Sequence, residues 1–154
     1  MLQNWVFTFT FNKKEQTFFN HKDTGLFQKE EVGSFFMSTY TLGIDIGSTT
    51  VKIAILDENE NLLFADYERH FANIQETLAD LLQKAYDRLG EVTLHPVITG
   101  SGGLTLANHL EIPFVQEVIA VSTALQKTAP QTDVAIELGG EDAKIIYFEG
   151  GNIE

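Results

Sequence analysis

Asp45 closes an apolar run at residues 41–46 and is followed by Gly47, by Ser48, Thr49 and Thr50, and then by Lys52. An acid at a strand end, beside a glycine turn and three hydroxyls, has the parts needed to hold a triphosphate with magnesium. Backbone N–H groups and hydroxyls can wrap phosphate oxygens. Asp45 can hold the cation through its waters, because magnesium dehydrates reluctantly. Side chains alternate along a strand, so Thr50 and Lys52 share a face and the lysine can reach the same phosphates. The spacing is not that of a Walker loop, which needs Gly-x-x-x-x-Gly-Lys.

A second stretch repeats the design: Ile136, Glu137, Leu138, Gly139, Gly140, Glu141, Asp142, Ala143, Lys144. A strand again delivers a carboxylate, glycines turn the chain, and acids follow. Two such hairpins can close on one polyphosphate from opposite sides, with Gly139 and Gly140 lining it. Glu141 or Asp142 would then orient an attacking water or bind magnesium through water. Asp45, Glu137, Glu141 and Asp142 are therefore the candidate catalytic residues. Standing alone, the second motif would read as a glycine hairpin with solvated acids. A third stretch, Thr99-Gly100-Ser101-Gly102-Gly103, sits where a strand meets a helix. Such a junction can bind anions, but a tight turn packed beside the site is the expected role. Glu117 opens a helix, where it can face the site or favour the N-terminal dipole, the second being the expected role. His21, His70, His95 and His109 are expected at the surface or at edges.

The elements that must position these residues are well marked from residue 40 onward. Apolar strands are expected at 41–46, 51–56 and 62–69, joined by the polar turns 48–50 and 57–61. Ile74, Leu78, Leu81, Leu82, Ala85 and Leu89 recur at helical spacing, so a helix is expected over 74–89 with Gly90 as its stop. A strand at 96–99, helices at 104–109 and 116–127, a strand at 134–138, a strand at 143–148 and a turn at Gly150-Gly151 complete the order. An antiparallel opening followed by crossovers implies an α/β fold with a mixed sheet of five to six strands and helices on its faces. That order is not doubly wound throughout, which disfavours a dinucleotide-binding fold.

The first 36 residues differ from the rest. They hold eight of the 12 phenylalanines and are charge-balanced, so residues 37–154 carry the whole net charge of −12. Phe7, Phe9 and Phe11 alternate with threonines as in a short strand, and beyond them no period is visible. Met37 reads as a natural initiator, with residues 1–36 an unassigned extension upstream of it. The alternative is a genuine extension whose aromatics pack on a neighbour. An acidic domain disfavours nucleic acid as a partner. No apolar run is long enough to span a membrane, and a cytoplasmic location is expected. The absence of cysteine removes disulfides and thiolate-held metal centres from this stretch.

The paired hairpins resemble the two phosphate loops shared by actin, sugar kinases and chaperone ATPases. More narrowly, GIDIGSTTVK, TGSGG, QEVIA and IELGGEDAK resemble the ATPase activators (activases) of 2-hydroxyacyl-CoA dehydratases and the related benzoyl-CoA reductase ATPase subunits, over roughly residues 40–154. The resemblance implies a ribonuclease-H-like (actin-like ATPase) fold, with 37–154 as a truncated first subdomain. It also implies ATP and Mg as cofactors, and an acyl-CoA dehydratase or reductase component as partner. In that family ATP hydrolysis drives an electron from a 4Fe–4S cluster held between two subunits, so a homodimer is implied for the full-length protein. The cluster's cysteines would follow the second hairpin, and this chain is expected to stop before them and before the half-site that covers the adenosine. Family members often carry Asp at the place of Glu137 and Gln at that of Glu141. The short activators often have a His in the helix after Glu117, where this chain reads Val118-Ile119-Ala120-Val121. Two alternatives stay open: a small-molecule kinase of the same superfamily, and a non-catalytic interaction module with the same fold.

Overall fold

The computed structural model describes residues 7–12, 17–22, 39–140, 143–149 and 152–153. Glu141 and Asp142, the Gly150-Gly151 turn and the boundary expected at Met37 lie outside the described residues. Strands β1 (Phe7–Asn12) and β2 (Thr17–Lys22) form an antiparallel pair, so the alternating phenylalanines do mark a strand. Its partner β2 has no period-two pattern and was not expected.

The centre of the fold is a four-stranded mixed sheet, ordered β5-β4-β3-β6. Strands β3 (Thr39–Ile46), β4 (Thr50–Leu56) and β5 (Leu62–Arg69) run antiparallel in sequence, and β6 (Thr93–Thr99) lies parallel to β3. The segment at Phe114 adds a single parallel bridge to Ile98 on the far side of β6. It is held there by Ile98 N donating to Pro113 O and Val115 N donating to Ile98 O, each at 2.9 Å. Strands β7 (Val134–Leu138), β8 (Ala143–Glu149) and β9 (Asn152–Ile153) make a separate antiparallel sheet. The mixed α/β character is as expected, but the six expected strands, β3 to β8, are divided between two sheets. The second motif therefore sits on its own hairpin.

Alternation decides which face of the main sheet is the core. Leu42, Ile44 and Ile46 on β3 stand opposite Ile55, Ile53 and Val51 on β4, and all are buried. Helix α1 (Ile74–Leu89) lays Leu78, Leu81 and Ala85 onto this face, and α2 (Gly103–Leu110) adds Ala107. Each such aliphatic side chain contributes about 1.5–3 kcal/mol through burial. Helix α1 has the bounds that its periodicity predicts. It ends at Gly90, whose φ of 76° is open to glycine and whose N–H caps Tyr86 O at 2.8 Å. Lys84 on α1 pairs with both Glu68 and Asp66 on β5, tying the helix to the sheet edge. Helix α3 (Glu117–Thr128) completes the described helices.

Leu81 is fully buried and Leu62 is 62% exposed. Leu81→Ala is expected to lose about 2–5 kcal/mol in urea unfolding, and Leu62→Ala to stay within about 0.5 kcal/mol of the parent. The hydrogen bond from Lys84, and then that from the Tyr67 amide, hold the Asp66 carboxyl below its ordinary range. A carboxyl lowered in the folded state adds stability above its unfolded pKa, and that stability is lost as pH falls through the folded value. Carbonyl-carbon NMR titration should place the Asp66 midpoint below that of Asp66 in Lys84→Ala.

Candidate functional site

Because Ile44 and Ile46 turn into the core, Asp45 is directed to the opposite face of β3. Its cross-strand neighbours there are Lys52 on β4 and Thr99 on β6. Lys52 Nζ lies 2.6 Å from Asp45 Oδ2, with the two side chains 53% and 30% exposed. Lys52 does share a face with Thr50, as alternation requires, but its ammonium is engaged by Asp45 instead of standing free for a phosphate. An exposed pair of this kind is worth at most about 1 kcal/mol, so a polyanion can compete for the lysine.

The turn between β3 and β4 is tight. Gly47 N donates to Thr50 O at 2.9 Å and His70 N donates to Thr49 O at 3.1 Å. Among the described residues, the N–H groups and hydroxyls of Ser48 and Thr49 have no hydrogen-bond partner. Donors gathered at a sharp turn suit an anion.

Gly140 brings the second motif to this turn. A Cβ at Gly140 would lie 2.6 Å from Thr49 Oγ1 and 3.3 Å from Ser48 Oγ. Glycine is what lets the two loops meet. Among the described residues, Glu137 on β7 has its Oε2 buried without a hydrogen-bond partner, as has Thr99 Oγ1 beside Asp45. Glu141 and Asp142 lie outside the described residues, so their expected roles acquire no geometry.

The glycine turn after β6 has the packing role. Gly100 has φ 96°, and a Cβ there would sit 2.3 Å from Ile46 O and 2.6 Å from Asp45 Oδ1. Gly102 N donates to Ile46 O at 2.9 Å. The turn thus buttresses the strand end that carries Asp45. Glu117 is more than a dipole partner for α3: Oε1 accepts from Ser101 N at 2.9 Å, and Oε2 pairs with Lys144 on β8. It ties the buttress to the second motif. The facing positions of Asp45 and Lys52 were an available signal for their pairing, whereas Glu117 and Lys144 lie on different elements and carried none.

His70 corrects an expectation. Instead of a surface or edge residue it is buried, 8% exposed, with Nε2 3.2 Å from Gly47 O. The turn that brings it there puts Phe71 and Ala72 at φ 43° and 67°, a conformation that costs about 1–2 kcal/mol per residue. His109 is exposed and His95 half-buried, as expected. Among the described residues no three His, Asp or Glu side chains converge into a metal cage. No described helix is long and apolar enough to cross a membrane.

This sheet order and these turns make the chain a protein of the actin-like ATPase fold. The particular likeness is to activators of acyl-CoA dehydratases. The (R)-2-hydroxyglutaryl-CoA dehydratase activating ATPase of Acidaminococcus fermentans is 25% identical over 120 residues, covering 76% of this chain and 45% of the relative. The 2-hydroxyisocaproyl-CoA dehydratase activator of Clostridioides difficile is 27% identical over 113 residues, covering 71% of this chain and 41% of the relative. The solved structure of the activator of the 2-hydroxyisocaproyl-CoA dehydratase from Clostridium difficile, with bound ADPNP, superposes with a TM-score of 0.63 at 26% identity. That superposition covers 74% of this chain and 43% of the other. No family model matches. The chain spans less than half the length of the curated relatives it matches.

Gly90 has nothing within 4 Å of a hypothetical Cβ, whereas Gly100 meets a backbone carbonyl. Both positions carry backbone strain for any other residue, so the difference between them isolates the buttress. Gly100→Ala is expected to cost at least about 2 kcal/mol more than Gly90→Ala in chemical unfolding. Equal losses would remove the turn's packing role.

Proposed function

We propose that this chain is the polyphosphate-gripping, amino-terminal part of an ATPase that activates an acyl-CoA dehydratase by ATP-driven electron transfer. The observation that carries the reading is the contact of Gly140 with Ser48 and Thr49. Two loops about ninety residues apart in sequence converge, and donors of the first that are unpartnered among the described residues lie where they meet. The likeness to the two dehydratase activators, and to one solved with ADPNP, supports the nucleotide and the partner. Gly47, Ser48, Thr49, Thr50, Gly139 and Gly140 form the grip, with Lys52 exchanging Asp45 for phosphate.

Magnesium fits the residues present. Asp45 is partly exposed beside the turn, Glu137 offers a second carboxylate with an unpartnered oxygen, and the ion keeps most of its waters when one or two carboxylates hold it. When bound, the ion would draw charge from the phosphates. Glu141 and Asp142 complete the proposed acids around an attacking water. A 4Fe–4S cluster does not fit these residues, which include no cysteine to ligate it. Dehydratase docking, a homodimer and a cytoplasmic location belong to the proposal for the whole protein.

Amide NMR with ATP and Mg²⁺ tests the grip. The Ser48, Thr49, Gly139 and Gly140 signals are expected to shift while those of α1 stay in place. Asp45→Ala should weaken the magnesium-dependent part of binding about tenfold, close to 1.4 kcal/mol. Shifts scattered over the surface, or unaffected by Asp45→Ala, would exclude this site.

A further inference from the structure

We infer that His70 is a positioning residue that aims the first phosphate loop, an inference that rests on the function proposed above. The Ala72 N–H donates to His70 Nδ1 at 3.0 Å. That nitrogen therefore carries no proton, and the imidazole hydrogen resides on Nε2. Nε2–H then donates to Gly47 O at 3.2 Å. The backbone N–H of the same residue donates to Thr49 O at 3.1 Å. One residue at the end of β5 thus holds two carbonyls of the four-residue turn.

The consequence lies on the other side of the peptide plane. The Gly47–Ser48 peptide is planar and trans, so its C=O and N–H point in opposite directions. Drawing Gly47 O toward His70 turns the Ser48 N–H away from it, and among the described residues that N–H is unpartnered. A flip of this peptide would rotate ψ of Gly47 and φ of Ser48, and glycine at 47 removes the side-chain resistance on the first of these. A flip would present a carbonyl oxygen to an incoming phosphate in place of a donor. The buried ring prevents it. The two positive-φ residues, Phe71 and Ala72, fold the chain back so that the Ala72 amide reaches the ring. The strap is thereby built from residues of one short turn and needs no distant element.

Two substitutions separate this role from mere packing. A glutamine amide nitrogen occupies the place of imidazole Nε2 and can donate to Gly47 O. An asparagine oxygen can replace Nδ1 as the acceptor for Ala72 but leaves Gly47 O without its donor. In the 154-residue chain, ring ¹⁵N shifts of His70 should show the Nε2–H tautomer. With ATP and Mg²⁺ followed at the Ser48 amide, His70→Gln is expected to bind within about threefold of the parent, and His70→Asn at least about tenfold more weakly. Their thermal midpoints should agree with each other. The proton on Nδ1, or His70→Asn binding as tightly as the parent, would overturn the inference while leaving the proposed function intact. Failure of the parent itself to show the Ser48 shift would remove both.

Discussion

The period-two alternation of β3 is the constraint on which the rest depends. Ile44 and Ile46 enter the core with Leu42, on the face where α1 and α2 pack. Asp45 is then committed to the open face, between Lys52 and Thr99. A slip of one residue in the β3–β4 register would exchange these faces and bury the carboxylate. The hydrophobic core and the placement of the acid are thus one fact seen from two sides. Stability of the sheet and orientation of the site cannot be varied independently.

Close approach of backbones comes next, and it explains where glycine is placed. Gly100 leaves room for Ile46 O and the Asp45 carboxylate, and Gly140 leaves room for Ser48 and Thr49. The first contact steadies the strand end; the second closes one loop on the other. Glu117 links them through Ser101 and Lys144, with its side chain only 18% exposed. The second hairpin is otherwise lightly held. Ile146 and Phe148 are buried, but Ile136, Leu138, Ile145 and Tyr147 on its other face are more than half exposed.

What was legible in the sequence follows from how local each signal is. The bounds of α1 and β5 were readable because one repeating face, or one apolar block between turns, sets them. The grip residues were readable because acid, glycine and hydroxyls are adjacent in the chain. Strand β2 was hidden, since its partner and not its own period defines it. The division of β3 to β8 between two sheets was hidden for the same reason. Lys52 was assigned to phosphate because alternation gives a face, whereas its engagement with Asp45 depends on a cross-strand register. His70 carried no sequence signal at all: its partners Gly47 and Thr49 lie more than twenty residues away, reached only when β5 pairs with β4.

Electrostatics set the remaining limit on how such a site can work. The chain carries a net charge of −12, and Lys52 and Lys144 beside the loops both contact carboxylates. On the proposed reading, attraction for a polyphosphate cannot come from free positive side chains. It must come from aligned N–H groups, from a cation that arrives with the nucleotide and from Lys52 once it leaves Asp45, which makes loop orientation as important as composition. Misaimed amides present carbonyl oxygens, and an acidic surface cannot compensate for them. A site of this kind needs its turn held rigidly before the ligand enters, and the hydrogen bonds to Gly47, Thr49 and Thr50 carbonyls supply that rigidity from within the fold.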